Sequence, residues 1–411
     1  MRTEAEQTTL RGNPRLLILT FYYPPDLSAG SFRVAALVDA LRARAQGRVD
    51  IDVITTLPNR YQTFTQEAPQ EEVHEGLRIR RIRLPQHRSD MLHQSRAFLS
   101  YARQVRREVA HRDYGLVFAT SSRLMTAALG ASIAARKRLP LYLDIRDIFV
   151  DTIQDVLPRP LAWPVGRCCA LLESFTMRRA SRINLVSRGF ESYFRERGYD
   201  KSLAWFTNGI DDEFLAIRPQ RASGRPAGAP TTVLYAGNIG EGQSLHRVVP
   251  DLALALGDKA RFVLIGDGGR RAALDRALAE RGVRNVELQP PMPRAQLLQA
   301  YLEADVLFLH LGDHDAFRKV LPSKIFEYAA LGKPILAGVA GYAARFLRDE
   351  VVNAAVFGPG DVAGAIRAFE SLELLDRPRP AFIEKFARAK IARAMADDIL
   401  ALLAPPARSV Q

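Results

Sequence analysis

Cysteine is scarce in this sequence, since its 411 residues include only two. Cys168 and Cys169 are adjacent, which disfavours a mutual disulfide and gives no spacing for a zinc site. No apolar run reaches the 18 residues of a membrane-spanning helix, and the polar stretch 1–14 lacks the apolar core of a signal peptide. We therefore expect a protein of the reducing cytoplasm that does not span a membrane.

The composition is that of a folded chain long enough for two cores. Hydrophobic residues make up 47% and charged residues 25% of the sequence, so disorder across the body is excluded. The net charge of +13 falls mainly within residues 1–200. This excess suits an anionic lipid, a phosphorylated substrate or nucleic acid, or it is simply a solvated surface. Without a basic helix-turn-helix or an aromatic platform, nucleic acid is the least favoured partner.

Short β-branched runs alternate with longer helical patterns, which predicts an α/β fold with parallel sheets. A stretch rich in proline, glycine and alanine, Arg218–Thr231, interrupts this pattern near the middle and predicts a linker. We expect two Rossmann-like domains that face each other across a cleft, one over residues 1–215 and one over residues 216–380. A C-terminal helix over residues 381–411 is expected to cross back to the first domain.

Three glycine-containing loops follow predicted strands and precede predicted helices. Such loops favour phosphate, because free amides and the helix dipole meet there and glycine allows close approach. The first loop contains Gly30 and Ser31. The others contain Gly237, Asn238, Ile239 and Gly240, and then Gly266 and Asp267. Their spacing is not the dinucleotide fingerprint, so a nicotinamide enzyme is disfavoured.

Residues 317–334 contain charged side chains close to a predicted helix start. Pro322 and Ser323 indicate that start, with Ser323 as the N-cap. Lys324 and Glu327 are three residues apart, so they share a helix face. They form either an ordinary surface ion pair or a site in which Arg318 and Lys324 neutralise a diphosphate and Glu327 accepts hydrogen bonds from ribose.

Together these motifs resemble the retaining glycosyltransferases of family four, whose fold is GT-B. The resemblance rests on YAGNIGEGQ, IGDGG and LPSKIFEYAALGKPILA in the second half and on FYYPPDLSAGSFR and LDIRDIFVD in the first. Within that family, the chain is most similar to enzymes of bacterial surface polysaccharide assembly, such as N-acetylfucosamine transferases.

The resemblance implies roles for individual residues. Glu327 matches the second glutamate of the family's paired motif, which holds the donor ribose, whereas Lys319 replaces the first. Asn238 and Gln243 stand where the family has an arginine and a lysine that grip the diphosphate, so Arg318 and Lys324 are expected to supply that charge.

Asp147, with Asp144 as the alternative, is expected to contact the reacting sugar or acceptor. Each of the two aspartates has the structural alternative of capping a helix or pairing with Arg146. The expected substrate-binding residues are Gly30, Ser31, Gly237, Asn238, Ile239, Gly240, Gly266, Asp267, Leu321, Pro322, Ser323 and Glu327.

The implied activity is metal-independent, retaining transfer from a nucleotide sugar, with UDP favoured, to a glycan or polyprenyl-diphosphate-linked acceptor, and without a cofactor. The basic stretch Met91–Arg112 is expected either to pack on the sheet or to contact an anionic membrane surface. Two alternatives remain, a nucleotide-sugar epimerase of the same fold and a catalytically silent binding subunit.

Overall fold

The computed structural model describes residues 12–26, 28–58, 67–84, 91–121, 124–148, 159–200, 202–215 and 228–403. The chain forms two compact units. The first unit comprises Met1–Val186, Glu191–Thr207 and Ala389–Gln411, and the second comprises Ser187–Phe190 and Asn208–Arg388. Most of the predicted linker lies outside the described residues.

The first unit contains an eight-stranded sheet in the order β3-β4-β2-β1-β5-β6-β7-β8. All neighbouring strands are parallel except β3 and β4. The strands are β1 Arg15–Leu19, β2 Asp50–Thr56, β3 Glu71–His74, β4 Leu77–Ile82, β5 Leu116–Thr120, β6 Leu141–Ile145, β7 Arg182–Leu185 and β8 Leu203–Ala204. The helices are α1 Ala29–Ala45, α2 Met91–Ala110, α3 Leu124–Lys137, α4 Arg159–Arg179 and α5 Glu191–Glu196.

The second unit contains a six-stranded parallel sheet in the order β11-β10-β9-β12-β13-β14. The strands are β9 Thr231–Ala236, β10 Ala260–Ile265, β11 Val286–Gln289, β12 Val306–His310, β13 Ile335–Gly338 and β14 Ala354–Phe357. The order reverses between β9 and β12, as in a Rossmann fold, and ligands bind at the carboxyl ends of strands flanking such a reversal. The prediction of two α/β units with parallel sheets is confirmed.

Helices cover the second sheet and connect its strands. They are α6 Asp212–Leu215, α7 Leu245–Leu256, α8 Arg271–Glu280, α9 Arg294–Glu303, α10 Asp315–Arg318, α11 Lys324–Ala330, α12 Gly341–Glu350, α13 Val362–Ser371 and α14 Pro380–Phe386. One apolar core lies between α7 and the sheet, where Val248, Leu252, Phe262 and Phe308 are fully buried. Burial of this kind contributes about 25 cal/mol per Å² of apolar surface.

The C-terminal segment is two helices rather than the single predicted one, because α14 ends at Phe386 and α15 runs from Arg388 to Leu403. Ala387 between them has non-helical backbone angles and forms a parallel bridge with Ile210. The break therefore comes from a long-range contact and not from a local helix breaker. Within the first unit, Ala392, Met395, Ala396 and Ile399 of α15 join the core formed by α1 and the sheet.

None of the described helices is both long enough and apolar enough to cross a membrane.

Candidate active site

The two glycine loops of the second unit are paired backbone to backbone. Gly237 N–H donates to Ile265 O at 2.8 Å, and Ile239 N–H donates to Asp267 O at 2.9 Å. A Cβ atom added to Gly266 would lie 1.8 Å from Gly237 O, so only glycine allows this approach. The loops thus extend the parallel pairing of β9 and β10 beyond the strands.

This pairing changes the expected role of the loop amides. Besides Gly237 and Ile239, Gly240 N–H lies 3.3 Å from Gln243 Oε1 and donates to it. Within the described loop 237–243, the amides of Asn238, Glu241 and Gly242 make no hydrogen bond. Of the four amides of residues 237–240, which the sequence predicts to help bind a diphosphate, three are therefore already used by strand-like pairing and by a side chain.

Asn238 and Gln243 bond to each other. Asn238 Nδ2 donates to Gln243 Oε1 at 2.9 Å, while Asn238 O accepts from Tyr235 Oη at 2.6 Å. At the two positions where the family has cations, this chain has a neutral, mutually satisfied amide pair. Any charge that binds a diphosphate here must come from another element.

Lys324 brings a cation to the same loop. A Cβ atom added to Gly237 would lie 2.5 Å from Lys324 Cε and 3.1 Å from its Nζ, so the ammonium lies directly beside the loop. Burial lowers the pKa of Lys324, while Glu327 opposes that shift and Arg294 adds to it. A partly buried ammonium next to unpaired amides is a binding place for an anion.

Arg318 is placed differently from its predicted role. It is half exposed and pairs with Asp313 at 2.9 Å and with Asp315 at 3.6 Å. Lys319, one residue on, accepts a hydrogen bond from Ser187 Oγ through its backbone oxygen at 2.6 Å. Two carboxylates therefore already neutralise the Arg318 guanidinium.

The turn before α11 is formed by Leu321, Pro322 and Ser323. Leu321 is buried, and Pro322 O accepts from Ile325 N–H at 3.2 Å. Ser323 precedes α11 but makes no capping hydrogen bond through its side chain. The predicted N-cap interaction is thus absent, because Ser323 has helical backbone angles that turn its hydroxyl away from the first amides.

Glu327 lies on α11 one turn beyond Lys324. Its Oε2 is 3.5 Å from Tyr301 Oη. In the described part of the chain, Lys324 and Glu327 form no ion pair within 4.0 Å. The ordinary surface ion pair between these two side chains is therefore not formed. Glu327 instead faces the charge of Arg294, which the sequence did not single out.

His310 is a second residue that the sequence did not single out. It is buried at the end of β12, with Nδ1 2.7 Å from Gln243 O and Nε2 accepting from Gly360 N–H at 3.1 Å. Burial lowers the pKa of His310 to about 4, so the ring is neutral and its Nδ1–H donates to Gln243. The imidazole therefore fixes the turn that follows the glycine loop.

In the first unit, Gly30 and Ser31 lie in the first turn of α1, as predicted for a helix start. Ser31 N–H donates to Ser28 Oγ at 3.2 Å, and the Ser31 hydroxyl is buried without a hydrogen-bond partner. A Cβ atom on Gly30 would lie 2.1 Å from Arg146 Nη1, so this guanidinium covers the helix start. Cation and helix dipole together favour an anion.

Asp147 is exposed in the loop after β6, whereas Asp144 is buried at the end of that strand. Both carboxylate oxygens of Asp144 accept from Arg33 at 2.9 Å, and Asn184 Nδ2 donates to it at 2.7 Å. At the end of the neighbouring strand β5, Ser121 Oγ accepts from Arg146 N–H at 3.0 Å. Of the two aspartates, Asp147 alone is accessible to a substrate.

The described residues contain no group of three or more potential metal ligands. The sequence contains two Asp-x-Asp pairs whose carboxylates interact with other side chains. In the second unit, Asp313 and Asp315 both pair with Arg318. In the first unit, Asp50 pairs with Arg15 at 3.6 Å, and Asp52 accepts from Tyr114 at 2.9 Å.

Residues 30–207 match the model of the Glycosyl transferase 4-like domain, and residues 217–389 match that of the Glycosyl transferases group 1. The putative colanic acid biosynthesis glycosyl transferase WcaI of Escherichia coli K12 is 33% identical over 100 residues, which are 24% of this chain and 24% of that protein. The match thus spans about a quarter of the curated relative's length.

Three solved structures illustrate the similarity of the fold. Sucrose-phosphate synthase of Thermosynechococcus elongatus has a TM-score of 0.66 at 16% identity, covering 95% of this chain and 96% of that one. HepE of Anabaena, solved with UDP-glucose, has a TM-score of 0.62 at 15% identity, covering 94% of this chain and 99% of that one. The lipopolysaccharide outer core galactosyltransferase WaaB has a TM-score of 0.59 at 11% identity, with the same coverage of the two chains.

Two α/β units, each matched by a glycosyltransferase family model, define a glycosyltransferase of the GT-B class. The chain belongs to the GT-B glycosyltransferases of family four. This confirms the resemblance seen in the sequence.

Proposed function

We propose that this protein is a metal-independent, retaining glycosyltransferase that moves a sugar from a UDP-sugar to a lipid-linked glycan during surface polysaccharide assembly. The observation that carries the proposal is the placement of Lys324 beside Gly237, with Glu327 on the same helix. The named activity of WcaI supports the polysaccharide context, and the UDP-glucose bound to HepE supports the donor.

In the proposed reaction, the bond between the anomeric carbon and the diphosphate oxygen breaks as the acceptor oxygen attacks from the same face. The acceptor proton passes to the departing phosphate. Negative charge grows on the diphosphate, so the preorganised Lys324 ammonium and the unpaired amides of Asn238, Glu241 and Gly242 would stabilise the transition state electrostatically. Glu327 would accept hydrogen bonds from the ribose hydroxyls, and Asp147 would contact the reacting sugar or acceptor.

One observation favours a second candidate, a silent nucleotide-sugar-binding subunit. Asn238 and Gln243 satisfy each other where the family has two cations, which weakens the grip on a leaving diphosphate. Binding of a UDP-sugar without transfer or hydrolysis would favour that candidate. Conversion of the sugar without any acceptor would instead identify an epimerase.

Glu327→Ala is expected to weaken UDP binding roughly ten- to a hundredfold, because hydrogen bonds to a charged group contribute about 1.5–3 kcal/mol. The measurement is thermal shift and calorimetric titration with UDP, GDP and their sugars, since a ligand of the native state raises its melting temperature. Glu280→Ala, on the exposed end of α8, is the matched control and should bind like wild type. If no nucleotide stabilises the wild type, the transferase proposal fails.

The proposed membrane association rests on α2. Phe98, Tyr101 and Val105 are buried, so the apolar side of α2 packs into the first unit. Its outer side exposes Leu99, at 53%, among four arginines that have no ion-pair partner among the described residues. These are Arg96, Arg103, Arg106 and Arg107. Attraction to an anionic surface is therefore mainly electrostatic.

Replacing Arg103 and Arg107 by glutamine is expected to weaken binding to vesicles containing phosphatidylglycerol by roughly ten- to thirtyfold, because each arginine near an anionic surface contributes about 1 kcal/mol. Co-sedimentation at low salt measures it. Arg276 and Arg348, exposed in the second unit, give the matched double variant, which should bind like wild type. Equal losses in both double variants would mean that net charge acts and not α2.

A further inference from the structure

Two of the segments at which the chain passes between the units lie side by side in the second unit. The first of these two passages falls at Thr207 and Asn208, and the second at Arg388 and Ala389; the chain also passes between the units at both ends of Ser187–Phe190. Ile210 N–H donates to Phe386 O, and Arg388 N–H donates to Ile210 O, both at 2.8 Å. Two backbone hydrogen bonds therefore join the two segments.

Gly209 makes this contact close. A Cβ atom there would lie 2.6 Å from Arg388 Cα, so a larger residue would push the segments apart. The same contact ends α14, because Ala387 is held in a non-helical conformation by its bridge to Ile210.

A row of charges leads from this contact into the unit. Arg388 Nε donates to Oδ1 of Asp211, while Arg294 Nη2 donates to Oδ2 at 2.5 Å. Arg294 also pairs with Glu213. Asp211 thus joins the second passage to the first residue of α9 through both of its oxygens.

The row continues to Glu327. Although burial lowers the pKa of Arg294, the charges of Asp211, Glu327 and Glu213 raise it above its usual value. From the same helix, Tyr301 places its hydroxyl 3.5 Å from Glu327 Oε2. The Tyr301 phenol of α9 therefore contacts the expected ribose carboxylate, while the Arg294 guanidinium at the start of the same helix interacts with it through charge.

Aromatic packing holds these groups in place. The Phe214 ring of α6 lies 6.4 Å from the Tyr301 ring and 5.3 Å from the Arg294 guanidinium. The Tyr301 ring meets the Tyr328 ring of α11 edge to face at 5.4 Å. The segment that enters the second unit thus packs, through α6 and α9, on the helix that carries Lys324 and Glu327.

We propose that Arg294 and Asp211 are positioning residues that orient Glu327 for the nucleoside and connect its occupancy to the paired segments 208–211 and 386–388. The proposal rests on the proposed function, in which Glu327 binds ribose. A nucleoside whose ribose hydroxyls donate hydrogen bonds to Glu327 weakens the electrostatic interaction of Glu327 with Arg294. Asp211 is hydrogen-bonded to both Arg294 and Arg388. A change in the interaction of Arg294 with Glu327 therefore also affects the contacts of Asp211 at these two passages of the chain.

The test is amide hydrogen exchange with and without UDP, on wild type, Arg294→Met, Arg294→Lys and the control Arg281→Met. Arg281 pairs with Asp251 elsewhere in the second unit at 2.8 Å. In wild type, we expect UDP to slow exchange at Ile210 and Arg388. Arg294→Met should abolish that slowing, speed exchange at both amides without UDP, and weaken UDP binding about tenfold. Arg294→Lys should restore part of each effect, and Arg281→Met should behave like wild type.

Each outcome decides a different point. If UDP binds Arg294→Met as tightly as wild type and still slows exchange at Ile210 and Arg388, the positioning proposal is overturned. The same holds if exchange at those amides without UDP is unchanged by Arg294→Met. If the wild type binds UDP nowhere, the proposed function fails and with it the link to ligand, whereas faster exchange in unliganded Arg294→Met would still establish the row of charges.

Discussion

Lys324→Met lowers the kcat/KM of sugar transfer by about 10²- to 10³-fold, the loss typical of removing one preorganised group that stabilises developing negative charge. The ammonium lies beside Gly237, where Asn238 and Gln243 supply no charge, and Arg318 is already paired with two aspartates. Lys324 thus brings a cation directly against Gly237. Steady-state kinetics with the donor that binds the wild type measure the effect.

The pH dependence gives a second readout of the same side chain. Burial lowers the pKa of Lys324, so the ammonium that binds a diphosphate is fully present at lower pH and is lost as the pH rises through that lowered pKa. UDP affinity should therefore fall on the alkaline side at a lower pH than an exposed lysine would cause. Lys324→Arg should remove this decline, because arginine stays protonated throughout.

The controls separate position from charge. Arg318→Met removes a nearby cation of similar length and should cost far less than Lys324→Met, because two carboxylates already neutralise Arg318. Equal losses for the two variants would contradict the assignment and would restore Arg318 to the diphosphate site that the sequence predicted.

Much of the fold could be predicted because buried parallel strands are short apolar runs. Val306–His310 and Leu116–Thr120 are two such runs, and each forms a fully buried strand. The edge strand Glu71–His74 was missed, since EEVH has no apolar periodicity and pairs only with β4. The break at Ala387 was missed because alanine favours a helix and only the bridge to Ile210 ends it.

The candidate site could be predicted where a local residue pattern was enough to indicate the role of a residue. It could not be predicted where that role depends on a partner from another part of the chain. Gly237 and Lys324 were singled out by local pattern, and the fold brings them together. The pairing of the loop amides with Ile265 and Asp267 depends on neighbouring strands, so the sequence could not show which amides are used. Arg294 was missed because its carboxylate partners lie far from it along the chain.

The same limit applies to Asp144, whose partner is 111 residues away. Arg33 and Asp144 expose only 5% and 1% of their side chains, so Arg33→Met would leave a buried carboxylate without its cation. We expect the first unit to lose about 3–5 kcal/mol of stability, because breaking a buried ion pair strands one charge. Asn184 and the backbone oxygens of Phe206 and Thr207 complete the network.

Denaturant unfolding, followed separately for the two units by hydrogen exchange, measures this loss, since a two-unit chain need not unfold in one step. Arg33→Met combined with Asp144→Leu removes both charges and should recover most of the lost stability, because an apolar replacement of a buried pair is often neutral. The exposed pair Arg44 and Asp397, at 2.6 Å, is the control and should cost at most about 1 kcal/mol when broken. If Asp144→Asn left stability intact while abolishing transfer, Asp144 and not Asp147 would be the residue that contacts the substrate.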